Sequence, residues 1–573
     1  MKNNTNNAIT TFFSAIIICL LFSLNLSGQT INYNHFSKQV DRLLNEHVKQ
    51  TTPGAAVIVT EKGKPIFKEC YGLANLEHNI PVTPTTVFNL ASVAKQFTAF
   101  SILLLENEGK VNLEDDIHKY LPKLPDYDHK VTVQHLLNHT SGIWEYLNVM
   151  SNFAGNSYLD YFTLDYAFKM LKHQDRLLFE PGSEWSYCNA NYVLLTQIVF
   201  NITGDSFRSW TQSNIFQPLG MKNSFFHETS FQVIKNRATP YRKNNNGDFI
   251  VGSSGRYNYA GSSDLYTTIE DMVLWMDNFR TKKLGGDEVV DKTFQKSKLN
   301  NGSESFYGYG LGKHNKHGKT VINHSGQTGG YKAYMLYCPE NEVGITILSN
   351  KRSFNVEGIG NKIFALYLGI ELEKKKKEKT QTEKKVDFTI DSSRVGDYSG
   401  MFLIEGDSSN LAFCNIGENT FYGIFEGLGQ DSFYPISETE FTNNRNPSVN
   451  FTFIPNENKK LNRLKLDLKG DIMWANRIVF ERLSPFQLSE IYSGKYFSDA
   501  LGTVYEIDMK NEHIVLCHRK YDDRLFQQVG NDEFASGYGI MRFKRNEHDQ
   551  IIGFDILDEF FNYNPIYFQK IKD

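Results

Sequence analysis

A serine and a lysine three residues apart, Ser92 and Lys95, have the types and the spacing that nucleophilic catalysis requires. Apolar residues at positions 93, 97, 100 and 104 recur with a helical period, and Asn89 precedes them as a candidate N-cap. Ser92 would then lie in the first turn of a helix, with Lys95 one turn later on the same face. A serine hydroxyl needs a neighbouring base or cation to become nucleophilic, and a lysine supplies either. In isolation, the same pattern is also typical of a capped surface helix with an exposed lysine.

A second group of candidate residues lies on a predicted loop that contains Tyr187 and Asn189. A Pro-Gly turn at 181–182 precedes this loop, and an apolar, helix-like stretch at 192–198 follows it. A tyrosine accepts a proton only if its pKa falls, and a nearby lysine ammonium would lower that pKa. Asn189 can accept a hydrogen bond from Lys95 and donate one to a substrate carbonyl.

The third group starts at His324 and continues through Gly326 and Gln327. Two β-strands are predicted after it, at 333–337 and 344–349, joined by a turn at 339–341. Because Gly326 has no side chain, a substrate backbone could lie against this part of the chain if it forms a sheet edge.

These three motifs, in this order, resemble those of the penicillin-recognising serine hydrolases, which include class C β-lactamases, DD-peptidases, D-aminopeptidases and related esterases. Four further stretches are similar to signatures of this family, at 131–143, 218–221, 260–265 and 307–312, so that the resemblance covers roughly residues 35–370. It implies an α+β fold, a β-lactamase/transpeptidase-like domain in which an antiparallel sheet flanked by helices packs on a helical subdomain. Ser92 would begin a buried helix between the two parts.

The resemblance also implies a role for each candidate residue. Ser92 matches the nucleophile that becomes acylated, and Lys95 matches the lysine that polarises it. Tyr187 matches the general base, which later returns its proton to the leaving group. Asn189 matches the residue that orients the lysine and the substrate.

The third motif matches the remaining parts of such a site. His324 occupies the basic position, and the backbone N–H groups of Ser92 and of Gln327, which follows Gly326, would form the oxyanion hole. The family more often has a lysine where this chain has His324. A histidine with an ordinary pKa near 6.5 is mostly neutral at pH 7 and becomes a cation below about pH 6. Carboxylate substrates such as penicillins should therefore bind less well at neutral pH.

A second departure from the family pattern is Cys188, between Tyr187 and Asn189, where serine or alanine is more common. We expect its side chain to point away from the pocket and to have little effect. The chain has six cysteines, one of them within the first 28 residues, and the other five are widely spaced. This pattern does not indicate a disulfide framework.

His135 and His139 are four residues apart, a spacing that occurs in zinc sites. The residue after the first histidine is leucine, whereas the metalloprotease pattern has glutamate there. We therefore predict a structural, capping role for these histidines and no metal site. No cofactor is expected either.

The first 28 residues have the organisation of a secretory signal peptide: a basic start, an apolar core at 9–26 and small residues at 27–28. The protein is therefore predicted to be exported, to the periplasm or beyond the cell, with an uncleaved membrane anchor as the alternative. No later stretch of the sequence is apolar and long enough to span a bilayer, so no stable span is expected after cleavage. A net charge of −4 without a basic face argues against a nucleic-acid partner.

Composition changes along the chain predict its domains. The hydrolase-like domain is expected at 29–372 and a basic, lysine-rich linker at 373–386. Short alternating strands follow, and residues 397–402 are echoed near 491–497, which predicts two barrel-like β-domains at 387–485 and 486–573. A single split β-domain is the alternative. This region resembles the lipocalin-like barrels that follow the catalytic domain of D-aminopeptidases.

Together these features predict a secreted serine hydrolase that acts through an acyl-enzyme on an amide or ester, for example a D-amino-acid-containing peptide. A catalytically inactive module that binds cell-wall peptides or a partner is one alternative, and a β-lactamase is the other. The expected partner is a small-molecule or peptide substrate. Its identity, the choice between hydrolysis and acyl transfer, and the oligomeric state are left open.

Overall fold

The computed structural model describes residues 32–154, 163–227, 229, 232–253, 260–372, 388–406, 410–417, 419–425, 429–443, 448–468, 470–510, 513–557 and 565–572. The predicted signal peptide, 1–28, and the predicted linker, 373–386, lie outside the described residues. The α-helices are α1 Tyr33–His47, α2 Lys95–Asn107, α3 Val133–Leu137, α4 Tyr146–Asn152, α5 Leu164–Lys172, α6 Asn189–Thr203, α7 Phe207–Thr211, α8 Gln217–Leu219, α9 Ile269–Thr281, α10 Gly286–Thr293, α11 Val356–Tyr367, α12 Val395–Tyr398 and α13 Pro485–Tyr492. In this part of the chain no helix combines the length and the apolar character needed to cross a membrane.

A six-stranded antiparallel sheet forms the centre of the first domain, in the order β3-β4-β5-β6-β1-β2. Its strands are β1 Ala55–Glu61, β2 Lys64–Tyr71, β3 Gly312–Lys316, β4 Lys319–Thr328, β5 Tyr331–Cys338 and β6 Val343–Ser349. The two strands predicted after the third motif lie within β5 and β6, as expected. Short strands form small separate sheets: Leu73–Asn75 with Ile80–Pro81, Phe88–Asn89 and Phe225–Phe226 with Leu265–Thr267, and Tyr241–Lys243 with Phe249–Val251.

The central strand β1 is buried on both faces of this sheet, and its alternate side chains point to opposite faces. Val57 and Val59 belong to the apolar cluster that α1 and α11 cover, whereas Ala56 and Ile58 belong to the cluster of the helical part. In the helical part, α2 is buried along most of its length and packs against α9. The predicted α+β architecture, with a buried helix directly after Ser92, is confirmed.

The C-terminal region consists of two closed eight-stranded barrels, so the alternative of one split β-domain is wrong. The first barrel contains β7 Gly400–Ile404, β8 Asn410–Gly417, β9 Thr420–Phe425, β10 Gly429–Pro435, β11 Glu440–Thr442, β12 Val449–Pro455, β13 Leu461–Leu468 and β14 Asp471–Arg477. The second contains β15 Gly494–Ser498, β16 Thr503–Lys510, β17 His513–His518, β18 Tyr521–Gly530, β19 Glu533–Ser536, β20 Gly539–Arg545, β21 Ile551–Leu557 and β22 Ile566–Ile571. The faint repeat has a structural basis, since Tyr398 and Tyr492 each end a short helix before the first strand and are fully buried.

The second barrel packs directly against α4 and α5 of the first domain. The Tyr166 hydroxyl on α5 donates to the Leu501 carbonyl over 2.8 Å. The Tyr521 hydroxyl donates to the Met150 carbonyl on α4 over 3.5 Å. Apolar residues of this barrel also belong to the same buried cluster as the helical part. The barrel therefore supports two helices that the sequence assigns to another domain.

Deleting the chain after about residue 385 should leave a first domain that still unfolds cooperatively but has a lower melting temperature. The loss of the barrel contacts should be felt mainly at α4 and α5, because these helices face it. Hydrogen–deuterium exchange of the full-length and shortened proteins would measure this, with α10 as an internal reference. Tyr166→Phe in the full-length protein should destabilise α5 in the same direction, by about 1 kcal/mol. Unchanged exchange at both helices would show that the barrel does not support them.

Candidate active site

Ser92 lies in a short 3₁₀ turn, Ala91–Ala94, immediately before α2. Ala91 has φ of +49°, in the left-handed region that residues other than glycine rarely adopt. Asn89, predicted as the N-cap of α2, instead accepts a 2.7 Å hydrogen bond from the Ala91 N–H and so stabilises this strained turn. Its amide group donates to Asp264 over 3.1 Å, which anchors the turn to the segment at 260–265.

Lys95, the first residue of α2, is fully buried, with 0% of its surface exposed. Its Nζ lies 3.3 Å from Ser92 Oγ, 2.7 Å from Asn189 Oδ1 and 2.7 Å from the Ser262 carbonyl oxygen. Burial lowers the pKa of Lys95 from 10.5 to about 7, and the negative charge of Glu145 acts in the opposite direction. Near neutral pH the amine and the ammonium are therefore both populated.

Tyr187 lies close to this amine, with its ring centroid 4.8 Å from Lys95 Nζ. The expected fall of its pKa is wrong: burial raises the pKa of Tyr187 above its usual value of 10, although the Ser92 hydroxyl opposes the rise. Within the described residues the buried Tyr187 hydroxyl has no hydrogen-bond partner of ordinary geometry. It therefore keeps its proton at neutral pH and is better suited to donate one than to accept one.

Asn189 is the first residue of α6, and its Oδ1 accepts from Lys95 as predicted. Both its backbone N–H and its Nδ2 donate to Oε2 of Glu145, over 2.5 and 2.8 Å. The Asn189 amide group was expected to donate to a substrate carbonyl. One of the two hydrogens on its Nδ2 is instead donated to Glu145. Sequence reasoning missed Glu145, although an acidic residue at the N-cap of α4, soon after the 131–143 signature, is a recognisable signal.

The Ser262 carbonyl was also missed, because a backbone acceptor leaves no trace in residue type. Its segment, 260–265, resembles a family signature, and Gly261 explains part of that signature. Gly261 has φ of +94°, and a Cβ there would lie 2.1 Å from Thr196 Cγ2. Glycine therefore lets this segment approach α6 closely enough for Ser262 to reach Lys95.

His324 on β4 is held in a neutral state. Its Nδ1 lies 2.7 Å from the Ser325 carbonyl oxygen, and its Nε2 lies 3.1 Å from the Tyr307 hydroxyl. The carbonyl can only accept, so Nδ1 carries the proton and Nε2 accepts from Tyr307. Burial, helped by the charge of Lys95, lowers the pKa of His324 from 6.5 to about 3. The expectation that His324 becomes a cation below about pH 6 is therefore wrong.

Gly326 allows β4 to lie directly against the turn at 91–94 that carries Ser92. The neighbouring strand β3 pairs with β4 only as far as Asn323, and the following part of β4 contacts the turn instead. A Cβ at position 326 would lie 2.4 Å from the Leu90 carbonyl oxygen and 3.0 Å from the Ser92 nitrogen. This close approach places β4 beside the Ser92 N–H, as the predicted oxyanion hole of Ser92 and Gln327 requires. The oxyanion hole itself stays a prediction.

The two histidines of the 131–143 signature have structural roles. His135 takes part in the capping box that begins α3, as predicted. The backbone carbonyl of His139 accepts from the Ser186 N–H, and its Nδ1 accepts from the Cys188 N–H. His139 therefore holds the loop that carries Tyr187. The ring centroids of His139 and Tyr187 are 4.5 Å apart. Across the described ranges, no group of three or more His, Cys, Asp or Glu residues is placed to hold a metal ion.

A family model described as Beta-lactamase matches residues 40–369, and the chain therefore belongs to that family. A D-aminopeptidase of Gluconobacter oxydans is 27% identical over 332 residues, 56% of this chain and 60% of that protein. A penicillin-binding protein of Bacillus subtilis is 27% identical over 414 residues, 67% of this chain and 86% of that protein. The octameric penicillin-binding protein homologue of Pyrococcus abyssi has a similar fold, with a TM-score of 0.53, 22% identity and coverage of 78% of this chain and 100% of that chain.

The imidazole of His324 should stay neutral from about pH 8 down to about pH 5.5, with its proton on Nδ1, because its pKa lies near 3. Nitrogen NMR of histidine-labelled protein would detect this tautomer directly, and His324→Gln would assign the signal. Tyr307→Phe should change the Nε2 shift without charging the ring, since it removes only the donor to that atom. Protonation of His324 with a midpoint above about pH 6 would contradict this assignment.

Proposed function

We propose that this chain is an exported serine hydrolase that forms an acyl-enzyme at Ser92 on an amide or ester substrate. The observation that carries the proposal is the 3.3 Å distance between Ser92 Oγ and the buried Nζ of Lys95. Two carbonyl acceptors, Asn189 Oδ1 and Ser262 O, take two of the N–H groups of that nitrogen. In the neutral amine, the remaining position, toward Ser92, is a lone pair that can accept the serine proton.

The reaction then follows from the protonation states. Ser92 Oγ attacks the substrate carbonyl carbon while its proton passes to Lys95 Nζ. The negative charge on the carbonyl oxygen is stabilised by the N–H groups of Ser92 and Gln327, each worth about 3 kcal/mol in comparable sites. Tyr187 donates its proton to the departing nitrogen or oxygen and takes the proton that Lys95 received from Ser92, so both groups return to their starting states. Water then attacks the ester at Ser92 with the same groups in the same order: Lys95 takes a proton from the water, Tyr187 gives one to Ser92 Oγ, and Lys95 passes its proton to Tyr187.

This assignment exchanges the roles that the resemblance implied for Lys95 and Tyr187. A general base works best when its pKa lies near the working pH. The Lys95 pKa of about 7 meets this condition, and the raised pKa of Tyr187 does not. Lys95 is therefore the proposed base, and Tyr187 the proposed acid.

A D-amino-acid amide or a D-amino-acid-containing peptide is the proposed substrate class. The D-aminopeptidase and the penicillin-binding protein to which the chain is similar support it. Export to the periplasm or the extracellular space, implied by the N-terminal sequence, would place the enzyme near such peptides. We also propose, from the sequence resemblance, that the two barrels are lipocalin-like domains.

Two alternatives are less well supported. A β-lactamase must bind the carboxylate of its substrate, and the neutral His324 does not supply the cation that a lysine would. An inactive binding module would not need to keep a lysine fully buried with its Nζ aimed at a serine hydroxyl, because burying an amine is costly.

Ser92→Ala should abolish both turnover and covalent labelling by a fluorophosphonate, because it removes the nucleophile. Lys95→Ala should lower the acylation rate by about a thousandfold or more, since residues that act as a unit are not additive. Intact-mass spectrometry of the labelled protein and hydrolysis of p-nitrophenyl esters and D-amino-acid amides would measure both. Circular dichroism should show that the fold is retained. Near wild-type acylation by Lys95→Ala would rule out the proposed base.

Substrate charge gives a separate test. The ratio of kcat/KM for a neutral ester to kcat/KM for a matched carboxylate peptide should not change between about pH 5.5 and about pH 8, because His324 does not titrate there. His324→Lys should raise kcat/KM for the carboxylate peptide by about tenfold, the worth of one charge-assisted hydrogen bond. His324→Gln, which is neutral, should not. A ratio that falls steadily toward acid pH in the wild type would contradict a neutral His324.

A further inference from the structure

Glu145 occupies a position in the site that the proposed reaction leaves unused. It is the N-cap of α4, where Oε1 accepts from the Leu147 N–H over 3.0 Å. Its other oxygen, Oε2, accepts from both the backbone N–H and the Nδ2 of Asn189. The carboxylate is partly buried, and this burial raises its pKa from 4.5. Three hydrogen bonds to one carboxylate far exceed what capping a two-turn helix requires.

These bonds fix the orientation of the Asn189 side chain. An asparagine amide can rotate by half a turn, and only one of its two orientations presents Oδ1 to Lys95. In the reverse orientation, Oδ1 would point at the Glu145 carboxylate, a repulsive contact, and Nδ2 would point at the Lys95 nitrogen, which repels it whenever that nitrogen is an ammonium. Glu145 therefore selects the orientation in which Asn189 accepts from Lys95 over 2.7 Å.

Glu145 also supplies the negative charge that acts on Lys95. The titratable groups that act on or contact Lys95 lie on several elements: His139 after α3, Glu145 at α4, Tyr187 and Cys188 before α6, Tyr192 on α6 and His324 on β4. Both histidines are held neutral by burial, and burial also keeps both tyrosines and the cysteine protonated. Tyr146, next to Glu145, is kept protonated in the same way. Asp264, in the segment that supplies the Ser262 carbonyl, accepts from Asn89, and Glu145 is the carboxylate whose charge acts on Lys95.

We propose that Glu145 is a positioning residue that fixes the Asn189 carboxamide and, through it, sets the balance between amine and ammonium at Lys95. The inference rests on the proposed function, because that balance matters only if Lys95 takes and returns the Ser92 proton. A lysine buried without an anion would stay an amine at neutral pH and would release the accepted proton too readily. With Glu145 present, the same nitrogen can accept a proton in acylation and keep it until the leaving group departs.

Glu145→Gln tests the charge. Removing the anion disfavours the ammonium, so the pKa of Lys95 should fall, and the acidic limb of the acylation rate should move to lower pH by about one unit. The maximal rate should also fall about tenfold, because a glutamine cannot accept from Asn189 and Leu147 together. Glu145→Asp keeps the charge on a shorter side chain, so its maximal rate should fall while its limb stays near the wild-type position. As a control, Glu184→Gln removes an exposed carboxylate from the Tyr187 loop. It should change neither the maximal rate nor the pH of the acidic limb.

A purely structural role for Glu145 predicts a different pattern, in which Glu145→Gln lowers the rate but leaves the acidic limb in place. That result would overturn the inference, as would equal limb shifts in Glu145→Gln and Glu145→Asp. The measurement is the second-order rate constant of Ser92 labelling by a neutral fluorophosphonate, in the full-length protein, as a function of pH.

A readout that does not depend on activity separates this inference from the proposed function. Carbon NMR of protein labelled at the lysine Cε gives the protonation midpoint of Lys95 directly, with Lys95→Arg to assign the signal. The midpoint should be lower in Glu145→Gln than in the wild type. If the wild type is never labelled at Ser92, the proposed function fails, whatever this midpoint is. If the wild type is labelled and the midpoint does not move in Glu145→Gln, the inference fails alone.

Discussion

The burial of one lysine amine determines how the rest of this site is built. Transferring an ammonium from water into a protein interior is costly unless it is hydrogen-bonded, and the usual response is a lower pKa. Lys95 shows both effects, with three hydrogen-bonding neighbours and a pKa near 7. The same burial that penalises the charge makes the amine a base at neutral pH. The cost to stability and the proposed chemical use of this residue therefore have one cause.

Three separate segments must converge for this burial to be possible. The turn at 91–94, continuous with α2, supplies Ser92 and Lys95, the start of α6 supplies Asn189, and the segment at 260–265 supplies a carbonyl. Glycines permit the approach, because a Cβ at position 261 or 326 would overlap neighbouring atoms. A further glycine, Gly310 in the 307–312 signature, lies against the backbone of Lys95 for the same reason. In the segments at 260–265 and 307–312, a glycine is therefore required by close packing.

The sequence predicted what depends on local spacing and missed what depends on burial. Ser92, Lys95, Asn189 and the strands after Gly326 followed from periodicity, turn residues and motif order. The protonation states did not, because the pKa of His324 and of Tyr187 is set by packing between distant segments, and no residue type reports that packing. Two barrels could be predicted from a repeat of a few residues, whereas the contact of the second barrel with α4 could not, because it joins residues far apart in the chain.

The central claim is that a neutral Lys95 amine takes the proton from Ser92. The most direct test is the pH dependence of Ser92 acylation in the wild-type protein, measured with a neutral reagent under conditions where the fold is intact. The rate constant should rise through a midpoint near pH 7, the pKa of the buried amine, and then become constant. A rate that is flat through this range, or that rises only near the ordinary lysine pKa of about 10.4, would contradict the account.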